Sequence, residues 1–390
     1  MKIVLFQKTV YLPPWGGTNK SNRLILEALA ERGHECWAVA PACGAQACRT
    51  IDEFRTALKE RQLSFETVDS SAYRFEQNGV RVIAISDSGK MSSWVARTIL
   101  ELEPDWVLVA SEDPGQVLLR AALRAAPTRV IYLARTTMAL PFGPASPVRS
   151  PSGTELLRQT AGIVVASQYL RNYCKRWANL DSVELPISPN GPGPFPYFGR
   201  YDSGFVMMLN PCLYKGITIF CALAQALPHV HFAAVPTWGT TKDDMYLLEQ
   251  TPNISVLAPS DDVDNIYDKA RVILVPSLWA EARANVITEA MLRGIPVLAS
   301  DVGGTSEAKL GVDYLLPVNP ITEFTNELDE RLLPVPQMRD QPLSIWLDAL
   351  STITNDRIRY EKVSKESREA ALVANHNETI THLESYLRHH

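Results

Sequence analysis

The chain has 390 residues, of which 46% are hydrophobic, and its 38 basic and 43 acidic residues give a formal net charge of −5. A chain of this length usually forms more than one domain, because single hydrophobic cores stop growing at roughly 250–300 residues. The slightly acidic balance argues against a broadly basic nucleic-acid-binding surface, although it leaves local phosphate pockets open.

The start of the chain and its cysteines predict a cytoplasmic protein. The opening apolar run, Ile3–Phe6, is too short for a signal peptide and is predicted to be a first strand. No stretch approaches the ~20 apolar residues of a membrane span. The six cysteines form no C-x-x-C pair and no zinc-like cluster, which favours reduced thiols. Cys43 and Cys48 flank a small-residue loop and would bridge only in an oxidising compartment.

The first half of the chain alternates short apolar runs with helical patterns. The runs predicted to be strands are Lys2–Phe6, Cys36–Ala40, Val80–Ile85, Trp106–Ala110, Arg129–Leu133 and Gly162–Ala166. Between the first two, Leu24, Ile25, Ala28 and Leu29 recur on one face of a helix, and Gly33 is predicted to be its C-cap. Strands separated by helices of this length predict a parallel, doubly wound α/β sheet.

A dense Pro-Gly stretch at 188–196 cannot form a helix or a central strand, and it predicts a linker. The alternation then restarts with predicted strands at Phe205–Leu209, His231–Val235, Ile254–Leu257, Val272–Val275 and Pro296–Ala299. We predict two Rossmann-like domains, 1–190 and 191–342, facing across a cleft. Charged C-terminal helices at 343–390 follow, the last packing back on the first domain. Ligands are expected at the carboxyl ends of the strands.

The segment 276–291 carries the strongest chemical signal. Its loop contains Glu281, and a helix is predicted to begin near Asn285, a good N-cap residue. Free N–H groups and the dipole at a helix start attract a diphosphate, whereas a carboxylate accepts hydrogen bonds from hydroxyl groups. Glu289, about one turn into the helix, would then hold ribose hydroxyls and Glu281 sugar hydroxyls. Taken singly, a dipole-stabilising residue and a solvated loop residue fit these positions equally well.

Two glutamates separated by seven residues, after a Pro-Ser strand end, resemble the signature of retaining GT-B glycosyltransferases of family 4. The runs Glu289–Val297 and Val302–Glu307 are similar to that family too. The resemblance implies a GT-B fold with the acceptor on the first domain and the sugar nucleotide on the second. It assigns Glu281 to the transferred sugar and Glu289 to the nucleotide ribose.

The loop after the predicted strand 205–209 contains Asn210 and the dipeptide Lys215-Gly216. A lysine at a strand end can neutralise a diphosphate as a point charge, although an exposed lysine is the simpler alternative. The family typically has an Arg and a Lys here, both on the donor diphosphate. Lys215 matches the Lys, and Asn210 stands near the place of the Arg. Arg283, where the family has an apolar residue, is predicted to replace part of the missing charge.

Two glycine pairs complete the predicted donor site. Gly303 and Gly304 follow a predicted strand, where small residues let the backbone approach a ligand, or merely form a tight turn. Gly16 and Gly17, between the first strand and first helix, would free N–H groups for phosphate or for the transferred group. The stretch lacks G-x-G-x-x-G, so a nicotinamide site is not indicated. The donor side also takes in the predicted helix start, Ala284 and Asn285.

The first domain departs from the family where many members place a His near the reacting sugar. Arg135 and Thr136 stand there instead and are assigned to the acceptor side. The resemblance implies a retaining, metal-independent transfer in which the leaving phosphate takes the acceptor proton. Lys215 would stabilise the charge on the leaving oxygen, and Glu281 would orient the sugar.

We therefore expect a hexosyltransferase-type enzyme with no bound cofactor. Its donor would be a nucleotide-diphosphate sugar, by family frequency a UDP-sugar, and its acceptor a hydroxyl of a saccharide, a lipid carrier or another small molecule. We expect no nucleic-acid partner and no integral membrane segment. Two alternatives stay open. One is an epimerase or phosphorylase-like enzyme of the same fold, and the other is a non-catalytic sugar-nucleotide-binding protein, which would bind a donor without turnover.

Overall fold

The structure is a computed structural model that describes residues 1–13, 16–44, 48–185, 190–191, 193–260, 262–331, 333–375 and 378–389. Pro14, Trp15 and part of the predicted 188–196 linker lie outside the described residues. The chain divides into two compact units. One comprises Met1–Pro189 with Asn377–His390, and the other Asn190–His376.

The first unit is built on a nine-stranded sheet. Its strands are β1 (Lys2–Phe6), β2 (Glu35–Pro41), β3 (Phe65–Asp69), β4 (Ala72–Gln77), β5 (Val80–Ile85), β6 (Trp106–Ala110), β7 (Val130–Ala134), β8 (Gly162–Val165) and β9 (Val183–Glu184). They lie in the order β3-β4-β5-β2-β1-β6-β7-β8-β9. In this spatial order, every neighbouring pair from β5 onwards is parallel. The six predicted strands of this half are confirmed. Parallel strands are buried on both faces, so they appear in the sequence as continuous apolar runs.

One edge of this sheet differs from the prediction of a wholly parallel sheet. β3 and β4 form an antiparallel hairpin, and β4 also pairs antiparallel with β5. Their sequence mixes polar and apolar residues, because an edge hairpin leaves part of its surface in water. It therefore lacks the apolar run by which the other strands were recognised, and the sheet is mixed.

Helices cover the first sheet at α1 (Gly17–Glu31), α2 (Ile51–Glu60), α3 (Met91–Leu102), α4 (Val117–Ala125), α5 (Pro151–Arg158) and α6 (Gln168–Ala178). The predicted first helix is confirmed as α1. Its buried apolar side chains are Ile25, Leu26 and Leu29, so the inward face is rotated slightly from the predicted one. Gly33, at φ +85°, follows the last turn, where a left-handed residue ends a helix without a steric penalty.

The second unit contains a six-stranded, wholly parallel sheet. Its strands are β10 (Phe205–Leu209), β11 (Phe232–Val235), β12 (Ile254–Val256), β13 (Ala270–Val275), β14 (Val297–Ser300) and β15 (Leu315–Leu316). They lie in the order β12-β11-β10-β13-β14-β15. The five predicted strands of this half are confirmed. A separate antiparallel pair consists of β16 (Phe324–Leu328) and β17 (Pro334–Pro336).

The helices of the second unit are α7 (Ile217–Ala226), α8 (Lys242–Glu249), α9 (Asp264–Tyr267), α10 (Asn285–Leu292), α11 (Thr305–Lys309), α12 (Leu343–Asn355) and α13 (Arg357–Ala374). The last helix, α14 (Glu378–His389), belongs to the first unit. Its Leu383 and Leu387 join the buried core of the first sheet, and the Trp106 indole donates to the Leu387 carbonyl at 2.7 Å. These contacts anchor the helix on the first unit.

All six cysteines lie in the described part of the chain, and none is bonded to another. Among the described residues, no helix has both the length and the apolar character that crossing a bilayer requires.

Candidate functional site

The second sheet brings two loops to one point of its carboxyl edge. From β10 the strand order runs to β11 and β12 on one side, and from β13 to β14 and β15 on the other. β10 and β13 are neighbours, so the order reverses between them. In open α/β sheets, ligands bind at such a switch point, outside the carboxyl ends of the strands. The loops that begin there contain Lys215 and Glu281.

Lys215 and Glu281 form a buried ion pair. Lys215 Nζ donates to Glu281 Oε1, and Ser277 Oγ donates to the same oxygen at 2.7 Å. Glu281 is only 5% exposed, and Lys215 Nζ lies 5.4 Å from the centre of the Trp279 indole. Burial alone would raise the pKa of Glu281, but the charge and hydrogen bond of Lys215, together with the hydrogen bond from Ser277, outweigh it and hold the pKa below its ordinary value. Glu281 is therefore ionised at neutral pH, and neither side chain is a solvated surface group.

The backbone locks these two loops together. The Tyr214 carbonyl accepts hydrogen bonds from the N–H groups of Leu278 and Trp279, at 2.9 and 3.3 Å. Gly216, at φ +82°, lies so close to the Pro276 carbonyl that a Cβ would collide with it. The Lys-Gly dipeptide and the Pro-Ser strand end therefore fit each other, which fixes where Lys215 meets the carboxylate.

The Gly303-Gly304 turn supports the Glu281 loop from the β14 side. The Gly304 N–H donates to the Glu281 carbonyl at 2.7 Å. Gly303 has φ +62°, and a Cβ there would lie 2.5 Å from Glu281 O and 2.6 Å from Glu281 N. A Cβ on Gly304 would collide with the Ala282 carbonyl. The small residues thus admit the chain's own backbone, and their contact with a donor stays a prediction.

Helix α10 begins directly after this loop. Ala284, at φ +54°, is its N-cap residue, and Asn285 is its first helical residue, so the expectation that Asn285 caps the helix is wrong. An alanine cannot accept a hydrogen bond through its side chain, and no described side chain caps the helix. Arg283 is half-buried in the preceding loop. The first N–H groups of α10 and the positive end of its dipole are therefore available to an anion.

Glu289 is the fifth residue of α10 and is 8% exposed. The Tyr267 hydroxyl, at the end of α9, donates to Glu289 Oε2 at 2.8 Å. Burial, and then the Glu289 charge, raise the pKa of Tyr267 well above its ordinary value, so the phenol stays a donor. Arg293 lies 5.0 Å from the Tyr267 ring centre, donates to the Glu289 carbonyl at 2.8 Å and pairs with Asp264 at 2.5 Å. The carboxylate is thus held in place by a second helix.

Asn210 follows β10 in the left-handed conformation, at φ +58°. Its Oδ1 accepts a hydrogen bond from the Gly239 N–H at 2.7 Å, so it ties the loop after β10 to the loop after β11 rather than to Lys215 and Glu281. Its Nδ2 is buried and has no hydrogen-bond partner among the described residues. One amide donor therefore remains at this strand end.

The first sheet also reverses its strand order, between β1 and β6. Helix α1 begins there, with Gly16 as its N-cap residue at φ +88°, and no described side chain caps it. Gly16 and Gly17 are both exposed. The predicted glycine pair thus lies at the uncapped start of a long helix, at a position that suits an anion.

Arg135 follows β7 and is 6% exposed, yet its Nε and Nη2 have no hydrogen-bond partner among the described residues. Its backbone N–H donates to Ser111 Oγ at 3.0 Å. That hydroxyl in turn donates to Glu112 Oε1, also at 3.0 Å. Thr136 is half-buried, and its Oγ1 accepts a hydrogen bond from the Met138 N–H at 3.3 Å.

Sequence reasoning missed three side chains of these sites, namely Ser277, Tyr267 and Glu112. Ser277 and Glu112 are each the second residue after a strand, so a search for polar residues near the carboxyl ends of β13 and β6 would have found them. Tyr267 lies on a separate short helix, and nothing in its local sequence connects it with Glu289. Within the described ranges, no group of three His, Cys, Asp or Glu side chains is placed to hold a metal ion.

Comparison with solved structures shows the fold over the full chain. Sucrose-phosphate synthase from Thermosynechococcus elongatus is 16% identical, with 100% of this chain and 98% of that chain covered and a TM-score of 0.72. HepE from Anabaena, in complex with UDP and glucose, is 17% identical, with 100% of both chains covered and a TM-score of 0.64. These are GT-B proteins, so both sheets belong to that architecture.

Sequence comparison agrees with the fold. An uncharacterized 42.6 kDa protein in the cps region of Klebsiella pneumoniae is 29% identical over 121 residues, and the chain spans 31% of the length of that relative. The family described as Glycosyltransferase Family 4 matches residues 15–191, and the family described as Glycosyl transferases group 1 matches residues 204–332. With one match on each unit, the chain belongs to the group 1, family 4 glycosyltransferases and has the GT-B fold.

Proposed function

We propose that this glycosyltransferase moves a sugar from a UDP-sugar to an acceptor hydroxyl with retention of configuration, without a metal or a bound cofactor. One observation carries the proposal. The buried Lys215–Glu281 ion pair lies at the switch point of the second sheet, directly before the uncapped start of α10. The second unit would hold the donor, and the first unit the acceptor.

The diphosphate would bind where donors are concentrated. Lys215 supplies a positive charge, and Ala284 and Asn285 open α10 with N–H groups that no described side chain caps. The unpartnered Nδ2 of Asn210 and the half-buried Arg283 would add to this electrostatic field. When the bond between the anomeric carbon and the phosphate oxygen breaks, negative charge develops on that oxygen. Fixed donors stabilise such charge more strongly than mobile water does.

The carboxylates would bind the neutral parts of the donor. Glu281 is ionised and accepts hydrogen bonds, so it suits hydroxyls of the transferred sugar and favours positive charge on the sugar ring. Tyr267 fixes Glu289, which suits the two ribose hydroxyls. The acceptor oxygen forms the new bond on the face that the leaving group vacates, and its proton passes to the leaving phosphate oxygen. Gly16 and Gly17 would offer backbone N–H groups from the first unit to the phosphate or the transferred sugar.

Uridine is the proposed base. The structures of HepE, to which the chain is similar over its full length, are complexes with UDP and with UDP-glucose. The Glu289 carboxylate, with its position set by Tyr267, can recognise the ribose of any nucleotide. The base preference therefore has to be measured.

A thermal-shift series with UDP, GDP and dTDP tests the donor class. A ligand that binds only the folded state raises its Tm, and at 100 times its Kd it adds about 2.7 kcal/mol of stability. We expect the largest rise with UDP, and we expect Glu289→Ala to lose it. Glu249→Ala, on the exposed end of α8, is the matched control and should keep it. No shift with any of the three nucleotides would contradict the proposal.

A turnover measurement separates transfer from the alternatives. With UDP-glucose and an acceptor, a transferase releases UDP and forms a glycoside, an epimerase yields an isomeric sugar nucleotide without an acceptor, and a binding protein changes nothing. Mass analysis and chromatography of the products distinguish the three.

A further inference from the structure

The carboxyl ends of β6 and β7 hold charged groups whose hydrogen-bonding capacity is unused. The Arg135 side chain is only 6% exposed, and its Nε and Nη2 have no hydrogen-bond partner among the described residues. Glu112 Oε2 is likewise buried and has no hydrogen bond of good geometry in the described part of the chain, although the Thr18 hydroxyl lies close enough to oppose slightly the rise that burial causes in the pKa of the carboxyl. A guanidinium edge with two parallel N–H donors and a carboxylate oxygen therefore both lack partners at neighbouring strand ends.

This arrangement is costly to the folded protein on its own. A buried donor or acceptor without a partner loses its hydration and gains nothing in return, and the loss is larger for a charged group. Burial lowers the pKa of Arg135 to about 10, and the Glu112 charge opposes that shift, so the guanidinium remains charged at neutral pH. Groups kept in this state are often found where a ligand completes them.

Ser111 connects the two strand ends. Its hydroxyl accepts from the Arg135 backbone N–H and donates to Glu112 Oε1, both at 3.0 Å. One hydroxyl therefore joins the ends of β6 and β7 and leaves Glu112 Oε2 and the Arg135 guanidinium outside its hydrogen bonds. The hydrogen bonds fix both residues while their remaining polar atoms stay unused.

The unused hydrogen-bonding atoms of Arg135 and Glu112 indicate the chemistry of a ligand that would fit them. Two N–H donors require an acceptor, and one carboxylate oxygen requires a donor. A hydroxyl group can do both, and two adjacent hydroxyls of a sugar can meet both partners together. A phosphate or carboxylate brings only acceptors, so it would satisfy Arg135 and leave the ionised form of Glu112 without a donor, whereas a hydroxyl can pair with both forms of that carboxyl. The neighbouring Lys8 and Asp113 pair with each other at 2.9 Å and add no net charge to the site.

We propose that Arg135 and Glu112 form an acceptor subsite on the first unit that binds adjacent hydroxyl groups of a neutral sugar. The guanidinium donates to the hydroxyl oxygens, and Glu112 Oε2 accepts a hydroxyl proton in a hydrogen bond. The proposal rests on the proposed function, because it assigns the acceptor to this unit. It makes the acceptor a saccharide rather than a phosphorylated or carboxylated molecule.

The first test uses the sign of a stability change. Arg135→Met removes a charged group that lacks partners and keeps a long apolar side chain. If the residue serves a ligand, the ligand-free variant keeps its Tm or gains roughly 2–4 °C. If the guanidinium supports the fold, the Tm falls. Arg120→Met, on the exposed face of α4, is the matched control and should leave the Tm unchanged.

The second test measures sugar binding by saturation-transfer-difference NMR on the full chain. The probes are methyl α-D-glucopyranoside, methyl α-D-mannopyranoside, methyl β-D-galactopyranoside and, as the anionic arm, glucuronic acid. We expect at least one methyl glycoside to bind the wild type, with its signals reduced at least five-fold in Arg135→Met and in Glu112→Gln. Glu155→Gln, exposed on α5, is the control and should keep them.

Three outcomes overturn the subsite. They are wild-type signals that persist in both variants, no signal for any methyl glycoside, or stronger binding of glucuronic acid than of the glycosides. The UDP thermal shift is recorded on the same samples. If it is present while sugar binding fails, only the subsite is wrong. If it is absent from the wild type, the proposed donor function fails independently.

Discussion

The two units both place polar groups at the carboxyl ends of neighbouring parallel strands, but the hydrogen-bonding states of these groups are opposite. In the second unit, Lys215 and Glu281 satisfy each other, and Tyr267 holds Glu289. In the first unit, Nε and Nη2 of Arg135 and Oε2 of Glu112 have no hydrogen-bond partners among the described residues. With the proposed roles, the donor site would be organised before its ligand arrives, whereas the acceptor site of the first unit would be completed by its ligand.

This difference agrees with the chemistry proposed for each unit. Charge develops on a phosphate oxygen during the reaction, and fixed groups stabilise it without a cost of reorganisation. A sugar acceptor brings no charge, so its site needs only donors and acceptors that await hydroxyls. Single substitutions in each unit can therefore break either half of this comparison.

Removing the lysine should abolish most of the turnover. Lys215→Met takes away the positive charge beside the leaving oxygen and leaves Glu281 buried without its ion partner. We expect UDP release from UDP-glucose to fall by ~10²–10³-fold, the usual cost of losing one fixed group that stabilises developing charge. Lys242→Met, exposed at the start of α8, should retain full activity. Equal activity in both variants would remove Lys215 from the mechanism.

The same variant should invert the pH dependence of the Glu281 contribution. In the wild type the pKa of Glu281 is lowered, so its stabilising contribution is present above the unfolded value and is lost as pH falls through the folded value. In Lys215→Met, burial, which is the largest single effect on this carboxyl, is opposed only by hydrogen bonds such as that from Ser277, so the pKa should rise and the variant should gain stability as pH falls from 7 towards the unfolded value. Urea midpoints at pH 5 and 7 measure this, with Lys215→Met/Glu281→Gln as the variant that abolishes both effects.

Substituting Gly303 should reduce stability and activity mainly by displacing the Glu281 loop, and less by straining the backbone of the turn itself. Gly303→Ala and Gly311→Ala both place a Cβ at positive φ, +62° and +77°, at a cost of about 1–2 kcal/mol each. Only at Gly303 does the Cβ meet the Glu281 backbone, whereas at Gly311 nothing described lies within 4 Å. We expect Gly303→Ala to lose more stability than Gly311→Ala in urea, and it alone to lose at least ten-fold in kcat. Identical effects of the two would contradict a positioning role.

The tyrosine hydroxyl should affect donor binding more than chemistry. Tyr267→Phe removes the 2.8 Å hydrogen bond to Glu289 and leaves a buried carboxylate oxygen without it. We expect KM for UDP-glucose to rise by roughly two- to ten-fold, since a typical intramolecular hydrogen bond contributes about 0.5–1.5 kcal/mol, while kcat stays within two-fold. Tyr246→Phe, which is exposed, provides the control. A fall in kcat with unchanged KM would place Glu289 elsewhere than on the ribose.

The smallest effect should be seen at Glu112. Burial raises the pKa of this carboxyl to about 7, against the opposing hydrogen bond from Ser111 and charge of Arg135. The folded state therefore binds the proton more tightly than the unfolded state, and the stability contributed by Glu112 falls as pH rises from the unfolded value of about 4.5 to about 7. Glu112→Gln should flatten that slope between pH 5 and 8 in urea titrations. Parallel curves for the two proteins would show that Glu112 titrates normally.

Most of the fold could be predicted because buried parallel strands appear as continuous apolar runs. Six strands of the first sheet and five of the second were found in this way, as was α1 with its terminal glycine, whereas the two-residue strands β9 and β15 are too short to appear as apolar runs and were not. The hairpin of β3 and β4 was not, because an edge hairpin exposes polar residues along its length. The start of α10 was displaced by one residue, since Asn285 is a good cap by residue type but Ala284 takes the left-handed N-cap position.

The candidate site was predicted in its residues but not in its contacts. The family resemblance grouped Glu281, Glu289 and Lys215 in one site, and the structure joins Lys215 to Glu281. It gives Glu289 a partner, Tyr267, that lies 22 residues away and has no local sequence signal. Asn210 accepts a hydrogen bond from the Gly239 N–H. This contact depends on the path of the loop after β11. Tertiary contacts of this kind depend on sheet order, which hydrophobic periodicity does not contain. The donor and acceptor roles of all these residues remain predictions.

Amide hydrogen exchange with and without UDP tests the central claim most directly, because it locates the nucleotide on the chain. The account predicts slowed exchange at the start of α10, from Asn285 to Glu289, and in the loop that contains Lys215, with the exposed helix α8 unchanged. UDP that protects other segments while leaving α10 and the Lys215 loop unaffected would contradict it.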